Sequence, residues 1–554
     1  MSEDRFDYVI VGGGSAGCVL ANRLSADPAC RVLVLEAGRR ERAWDVLVQM
    51  PGAAMLTMGN RLYDWDYRTE PEPHLDRRRI ALARGKMLGG SSSINGMVFQ
   101  RGNPLDYDAW ADADPSLGQW DFAHCLPYFK RLERTSDGDP LFRGRTGPLH
   151  VERSPAANPL SRAFFLAAQQ AGYELSDDFN GARQEGFGPM DRNVQRGRRF
   201  SAFRAYLEPV LGRPNLTVRT GAHVSRLLFE GQRAVGVEYL RRGRRFARVG
   251  AGEVILAGGA VNTPQVLQLS GVGDAAHLRS LGIDVVMDLP GVGENLQDHL
   301  EVYVQHASTQ PVSLSPAMRW WNRPGIGARW LLSRSGLAAS NHLEAGGFVR
   351  TNDSVTRPNL MFHFVPIAVD LDGKLAAPHG YQAHITPVLS DARGSVRIRS
   401  TDPRAHPALV FNYLSTEQDR REWIESVRIT REILAQPAFA ALDGGELQPG
   451  PEVQSDDEIL AWVAARGETS LHASGTAKMG SDALAVVDPA TMGVYGVEGL
   501  RVVDASVMPL ITNGNTYAPV MMIAEKAADL ISGATPAPPE RVAFHVHPRA
   551  GTTP

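Results

Sequence analysis

A glycine-rich turn joining two apolar runs near the N-terminus constrains this chain more than any other feature. Residues 6–11 are apolar and β-rich, residues 12–17 read GGGSAG, residues 16–24 carry apolar side chains at helical spacing, and residues 31–35 are apolar again. Strand, turn, helix and strand in that order open a doubly wound parallel sheet. Gly12 permits the tight turn, Gly14 lets the backbone approach a pyrophosphate, and Gly17 lets helix and strand close on each other. Ser15 and Ala16 begin the helix, whose free N–H groups and positive dipole end suit phosphate. Glu36 closes the second strand, where its carboxylate can accept hydrogen bonds from both hydroxyls of an adenosine ribose. A carboxylate there opposes a 2′-phosphate, so the expected ligand is FAD or NAD rather than NADP.

At 554 residues the chain is long enough for two or three structural units. Short strands are predicted at 216–219, 234–239 and 253–257, the last leading into a loop and helix at 258–273. Between 311 and about 464 the texture changes: Trp320, Trp321, Trp330, Phe362 and Phe364 mix with alternating runs such as GSVRIRS. That texture predicts an antiparallel sheet with helices on one face. Residues 518–531 then form a long apolar helix. The expected fold is therefore α/β plus α+β. A discontinuous, Rossmann-like dinucleotide domain comprises residues 1–155, 200–310 and 465–532. A substrate domain comprises 156–199 and 311–464, and a Pro-, Ala- and Thr-rich tail, 533–554, is expected to be mobile.

The net charge of −3 is small for this size and argues against a generic nucleic-acid or anionic-membrane surface. Three cysteines without CxxC spacing give neither a disulfide framework nor a metal site, and fit a reducing cytoplasm. The N-terminus lacks signal-peptide character, and no apolar run approaches the roughly 20 residues that span a bilayer. A cytoplasmic protein is expected, with peripheral docking at the inner face of the membrane left open.

Three further segments favour FAD: RGKMLGGSSSIN at 84–95, GAVNTPQVLQLSGVG at 259–273 and VGENLQDH at 292–299. With these motifs the chain resembles the glucose–methanol–choline family of FAD-dependent oxidoreductases from residue 6 to about 531. The resemblance lays Arg84, Gly89, Gly90, Ser91, Asn95, Gly96, Met97 and Val98 along the flavin and pyrophosphate. It places Val224 near the adenine, and adds Ala37, Asp504, Ala505, Asn515 and Thr516 to the cofactor contacts. Some family members link the flavin covalently through a histidine where this chain has Ile94, so FAD is expected to be non-covalent.

Oxidising an alcohol with a flavin needs removal of the hydroxyl proton and transfer of the α-hydride. Histidine suits the base, since its ordinary pKa is roughly 6.5. Of fifteen histidines, His472 in HASGTAKMG matches the family's catalytic histidine. Its partner is Asn515, immediately before a helix whose N-terminus would face the flavin pyrimidine ring and favour negative charge there. His299 is an alternative base with a competing role in its loop, and Asn513 reads as turn chemistry.

Within the family the resemblance extends furthest with bacterial members that oxidise choline, through YDWDYRTEPEP, QEGFGPMDRNV, VSLSPAMRWWNRPGIGARWLL and SNHLEAGGFVR. It matches Glu344 to a carboxylate facing a trimethylammonium group. Trp65, Trp320 and Trp321 are candidate aromatic faces for the same cation. Two departures admit other primary alcohols, of alkyl or polyethylene-glycol type. Leu471 stands where choline-oxidising relatives carry an aromatic residue, and the loop reads HASGTAKMG rather than HPCGTCKMG. The expected product is the aldehyde, or glycine betaine after a second oxidation, with electrons leaving to a quinone or another acceptor. The family also contains hydroxynitrile lyases, which are the competing class.

Overall fold

The computed structural model describes residues 5–241, 245–370 and 373–547. Its first sheet is built around the predicted unit. Strand Arg5–Val11 runs parallel to Val32–Glu36 on one side and to Arg245–Leu256 on the other, and helix Ser15–Leu24 crosses between the first two. Leu216–Thr220 adds in parallel beyond Val32–Glu36, and Leu500–Val502 beyond Arg245–Leu256. Val32–Glu36 is buried along its whole length, as a strand covered on both faces must be. The first half of Arg245–Leu256 instead pairs antiparallel with Arg233–Arg241, which pairs with Ala222–Glu230. The chain's last long helix, Tyr517–Ser532, packs against Ser15–Leu24.

The second sheet is antiparallel, in the order Asp443–Gln448, Leu300–Ser308, Gly380–Pro387, Leu360–Val365, Ala345–Val349, Gly186–Pro189. Helices Pro159–Gln170, Glu417–Leu434 and Asp456–Arg466 cover one face. Asn158 caps the first of these, its side chain accepting from the Leu160 amide, with Pro159 at the position that needs no donor. Phe164 from that helix stacks on Phe364 with centroids 4.4 Å apart, a pair worth about 1 kcal/mol beyond its area.

The alternation of the strands decides what the other face carries. Leu300, Val302 and Val304 turn to the helices, and so do Phe362, Phe364, Ala383 and Ile385. Glu301, Tyr303, His363, Gln382 and His384 therefore line the cavity between the sheet and the dinucleotide domain.

Two expectations need correction. A boundary at 310 would cut off Leu300–Ser308, which belongs entirely to the second sheet, because its hydrogen bonds go to Gly380–Pro387 and Asp443–Gln448. The tail is not loose as far as His547. The Glu540 amide donates to the Ala123 carbonyl at 2.9 Å and that of His545 to Ala182 at 2.8 Å. Phe544 also meets Phe122 edge to face. Few apolar side chains suffice to hold it, since its backbone bonds to a preformed surface. Among the described residues no helix is long and apolar enough to cross a membrane.

Candidate active site

A cavity of about 1270 Å³ runs from Glu36 to His472, longer than a single small ligand needs. At the nucleotide end the two Glu36 oxygens accept from the Gly13 amide at 2.9 Å and the Gly38 amide at 2.7 Å. Burial raises the pKa of this carboxyl, and the two amides oppose that rise. Gly17 does what the motif predicts: a Cβ there would lie 1.9 Å from the Gly12 carbonyl oxygen. Gly90 has φ +54°, and a Cβ would meet the Gly14 Cα at 2.8 Å, so the second glycine segment closes directly on the first.

Gly12, Gly14, Ser15, Ala16, Ala37, Arg84, Gly90, Ser91, Asn95, Gly96, Met97, Val98, Val224, Asp504, Ala505, Asn515 and Thr516 all line this cavity. Gly17 and Gly89 do not. Gly89 works through its backbone, with φ +90° and its amide donating to Gly13 at 2.7 Å.

The fit to a large anionic cofactor rests on unused donors. Arg84 is half-buried, and its Nε and Nη2 are buried atoms with no hydrogen-bond partner. Helix Ser15–Leu24 has no side-chain cap at its N-terminus, and neither has Tyr517–Ser532. Both present free amides to the cavity. Ile94 is buried against Val48, Tyr63 and Met87 and offers no nucleophile.

At the far end His472 is held from three sides. Its amide donates to Asp298 at 2.6 Å, its Nδ1 lies 3.0 Å from His299 Nδ1, and its Nε2 lies 3.0 Å from Asn515 Nδ2. The chain on both sides of it is tied to residues 297–299: before it Ser470 N–H donates to the His299 carbonyl, and after it Ser474 exchanges backbone bonds with Gln297 at 3.0 and 2.9 Å. Between the two ties Leu471 takes φ +66°, a left-handed conformation costly for leucine, which turns His472 toward the cavity. With the Asn515 amide donating, His472 Nε2 is an acceptor and Nδ1–H donates to His299. Burial lowers the pKa of His472 well below 6.5, and His299, Arg84 and His363 push the same way. Burial holds His299 at about 3. His472 is therefore a neutral imidazole with its lone pair toward the cavity.

Beside it lies a carboxylate that sequence reading misses. Glu301 accepts from Tyr303 Oη at 3.0 Å and Ser470 Oγ at 3.2 Å, and sits 3.8 Å from His384 Nδ1. Burial raises its pKa to about 7, and holds His384 neutral at about 3. Among the described residues no arginine or lysine pairs with Glu301. The signal was available in LEVYVQ, where polar residues at 301, 303 and 305 alternate with apolar ones directly after the Asp298–His299 segment.

Glu344 is not in the cavity. Asn341, His342 and Leu343 line it but Glu344 does not, because its carboxylate is engaged elsewhere, accepting from Ser340 at 2.5 Å and Arg192 at 3.3 Å. Trp320 and Trp321 are exposed and also lie outside it. Trp65 lines the nucleotide end, edge to face with His223 and with the Lys86 ammonium 4.2 Å over its ring. Leu471 does line the His472 end. Asn513 is buried and bonded to Gln184 and Pro358, a turn residue as expected.

A dinucleotide fold whose cavity ends at a buried His–Asn pair under an antiparallel sheet defines a flavin-dependent oxidoreductase. Models described as GMC oxidoreductase match residues 6–301 and 390–524. An oxygen-dependent choline dehydrogenase of Staphylococcus saprophyticus is 57% identical over 547 residues, 98% of this chain and 97% of the relative. One of Staphylococcus aureus is 57% identical over 98% of this chain and 96% of its own. Among solved structures, pyridoxine 4-oxidase from Mesorbium loti superposes with TM-score 0.86 at 33% identity, covering 96% of this chain and 100% of that one. A formate oxidase variant of Aspergillus oryzae gives TM-score 0.88 at 26% identity, covering 96% and 99%. The chain belongs to the GMC oxidoreductase family, and its cofactor is FAD.

Proposed function

We propose that the protein oxidises choline to betaine aldehyde and, through the aldehyde hydrate, on to glycine betaine. One observation carries the choice of substrate: Glu301, a carboxylate largely withdrawn from water with its side chain 15% exposed, shares the cavity with His472 and among the described residues has no arginine or lysine partner. A carboxylate so withdrawn and without a counter-charge is unfavourable. A quaternary ammonium, which has no hydrogen-bond donors of its own, supplies the missing charge, with Tyr303 offering an aromatic face. Neutral His384 does not repel it. The 57% identity to relatives named as choline dehydrogenases supports the same choice.

Bound FAD supplies the acceptor for the α-hydride. His472 Nε2 takes the hydroxyl proton, Asn515 holds the alcohol oxygen beside it, and His299 keeps Nδ1 occupied so that Nε2 stays the basic atom. The N-terminus of Tyr517–Ser532 favours negative charge at the adjoining ring. Arg84 and the amides of the glycine turns hold the pyrophosphate and flavin edge. Electrons then pass to a quinone or another acceptor, and the protein docks peripherally at a membrane to meet it.

The test is product analysis: holoenzyme, choline and a soluble dye acceptor should yield betaine aldehyde and then glycine betaine. Cyanohydrin cleavage without dye reduction would replace the oxidase chemistry with that of a lyase.

A further inference from the structure

The segment from Leu314 to Leu337 has an inner and an outer face. Its inner face lines the cavity through Met318, Ile326 and Leu337, and Trp330 anchors it, buried, with its indole N–H donating to the Gly197 carbonyl at 2.7 Å. A helix with one face buried normally turns polar side chains outward. Here the outward side chains include Trp320 at 74% exposure, Trp321 at 57%, Leu331 at 52% and Leu332 at 89%. Met55 and Leu56, which line the opening of the cavity, stand next to this segment, because their turn, Pro51–Leu56, abuts the Leu337–Ala339 turn: a Cβ on Gly52 would lie 3.1 Å from the Ala338 Cα. They too are exposed, at 75% and 59%. So many large apolar side chains left exposed on one short segment and the turn beside it mark an interaction site.

The charge of the segment identifies the occupant. Between Glu301 and Glu344 the sequence has no aspartate or glutamate up to residue 343, and it carries Arg319, Arg323, Arg329 and Arg334. The whole protein is slightly acidic, so this basic stretch is a local feature that the net charge conceals. Tryptophans beside leucines and arginines suit the boundary between lipid headgroups and acyl chains, where arginine stems lie along apolar surface and their guanidinium groups reach phosphate. A second copy related by two-fold symmetry would bring the same arginines against one another.

We infer that this outer face, with the Met55–Leu56 turn, is the docking surface for an anionic phospholipid bilayer. This rests on the peripheral docking proposed above, and names the surface responsible. Docked this way, the protein presents the wall of its own active-site cavity to the membrane, so a lipid-soluble acceptor has the shortest route to it.

The experiment is sedimentation of the holoenzyme with vesicles of phosphatidylethanolamine mixed with little or much phosphatidylglycerol, which avoids choline headgroups. The intact protein should bind the phosphatidylglycerol-rich vesicles, more weakly as salt rises. A Trp320→Ser, Trp321→Ser, Leu332→Ser variant should lose at least tenfold in affinity, and so should an Arg319→Gln, Arg329→Gln variant. Both should keep the wild-type rate with choline and a soluble dye, which shows that they fold. Failure of the intact protein to bind any vesicle would overturn membrane docking itself. Vesicle binding that survives both variants would overturn only this surface. A concentration-dependent dimer that the tryptophan variant abolishes would assign the face to a second copy instead.

Discussion

At His472 burial and two neighbours settle the protonation state before any substrate arrives. Burial removes the imidazolium, His299 takes the Nδ1 proton as a hydrogen bond, and Asn515 points its amide at the lone pair. His472→Ala should therefore slow flavin reduction by about 10²–10⁴-fold, the usual contribution of a general base, while the purified variant keeps its yellow cofactor. Retention of FAD with near-normal reduction would remove the base role. Glu301 gives a pH signature of its own. Its carboxyl stands near 7 in the free protein, so kcat/KM for choline should rise with pH through about 7 as the cation site ionises. The neutral carbon isostere of choline should lack that limb. Glu301→Gln should abolish the limb and raise the choline KM roughly 30-fold or more, taking about 2 kcal/mol as the lower bound for removing one member of a buried charge pair. Glu344→Gln should leave that KM within about twofold, since its partners are Arg192 and Ser340 outside the cavity.

At the scale of elements, the helix Tyr517–Ser532 places Asn515 and is fixed by a buried charge. Glu525 accepts from Arg23 at 2.7 and 2.9 Å, Arg131 at 2.7 Å and Tyr206 Oη at 2.6 Å, and so ties the helix to Ser15–Leu24 and to Phe122–Leu132. Glu525→Gln would leave two guanidinium groups facing an amide. It should destabilise the protein by about 3 kcal/mol or more, seen as a lower thermal midpoint of the holoenzyme.

The elements legible in the sequence are those whose chemistry is local. Gly12, Gly14, Gly17 and Glu36 sit within one strand–turn–helix–strand run, so spacing alone reveals their tasks. Likewise Asn515 lies just ahead of its helix, next to the Thr516 N-cap. Glu301 was hidden because its meaning depends on which face of Leu300–Ser308 meets the cavity, and that is set by pairing with Gly380–Pro387, some eighty residues away. Glu344 looked like a site residue because its neighbours Asn341, His342 and Leu343 do line the cavity, whereas its own carboxylate is taken by Ser340 and by Arg192, which lies far away in sequence. Trp320 and Trp321 misled differently, since aromatic composition does not distinguish a cavity wall from an outer surface.

For the whole molecule, one cavity unites segments from both sheets: the dinucleotide domain supplies Glu36 and Arg84, and the antiparallel sheet supplies Glu301 and His363. No nucleophilic side chain replaces Ile94, so acid precipitation should leave a colourless pellet and release FAD to the supernatant. A yellow pellet would show a covalent link through some other residue. The most direct test of the central claim, that a cation site and a base share this cavity, is anaerobic mixing of the holoenzyme with choline while flavin absorbance is followed. Choline should bleach the flavin rapidly and the neutral isostere much more slowly, and Glu301→Gln should lose that difference. Equal bleaching by both alcohols in the intact protein would contradict the cation site, and no bleaching by either would contradict alcohol oxidation.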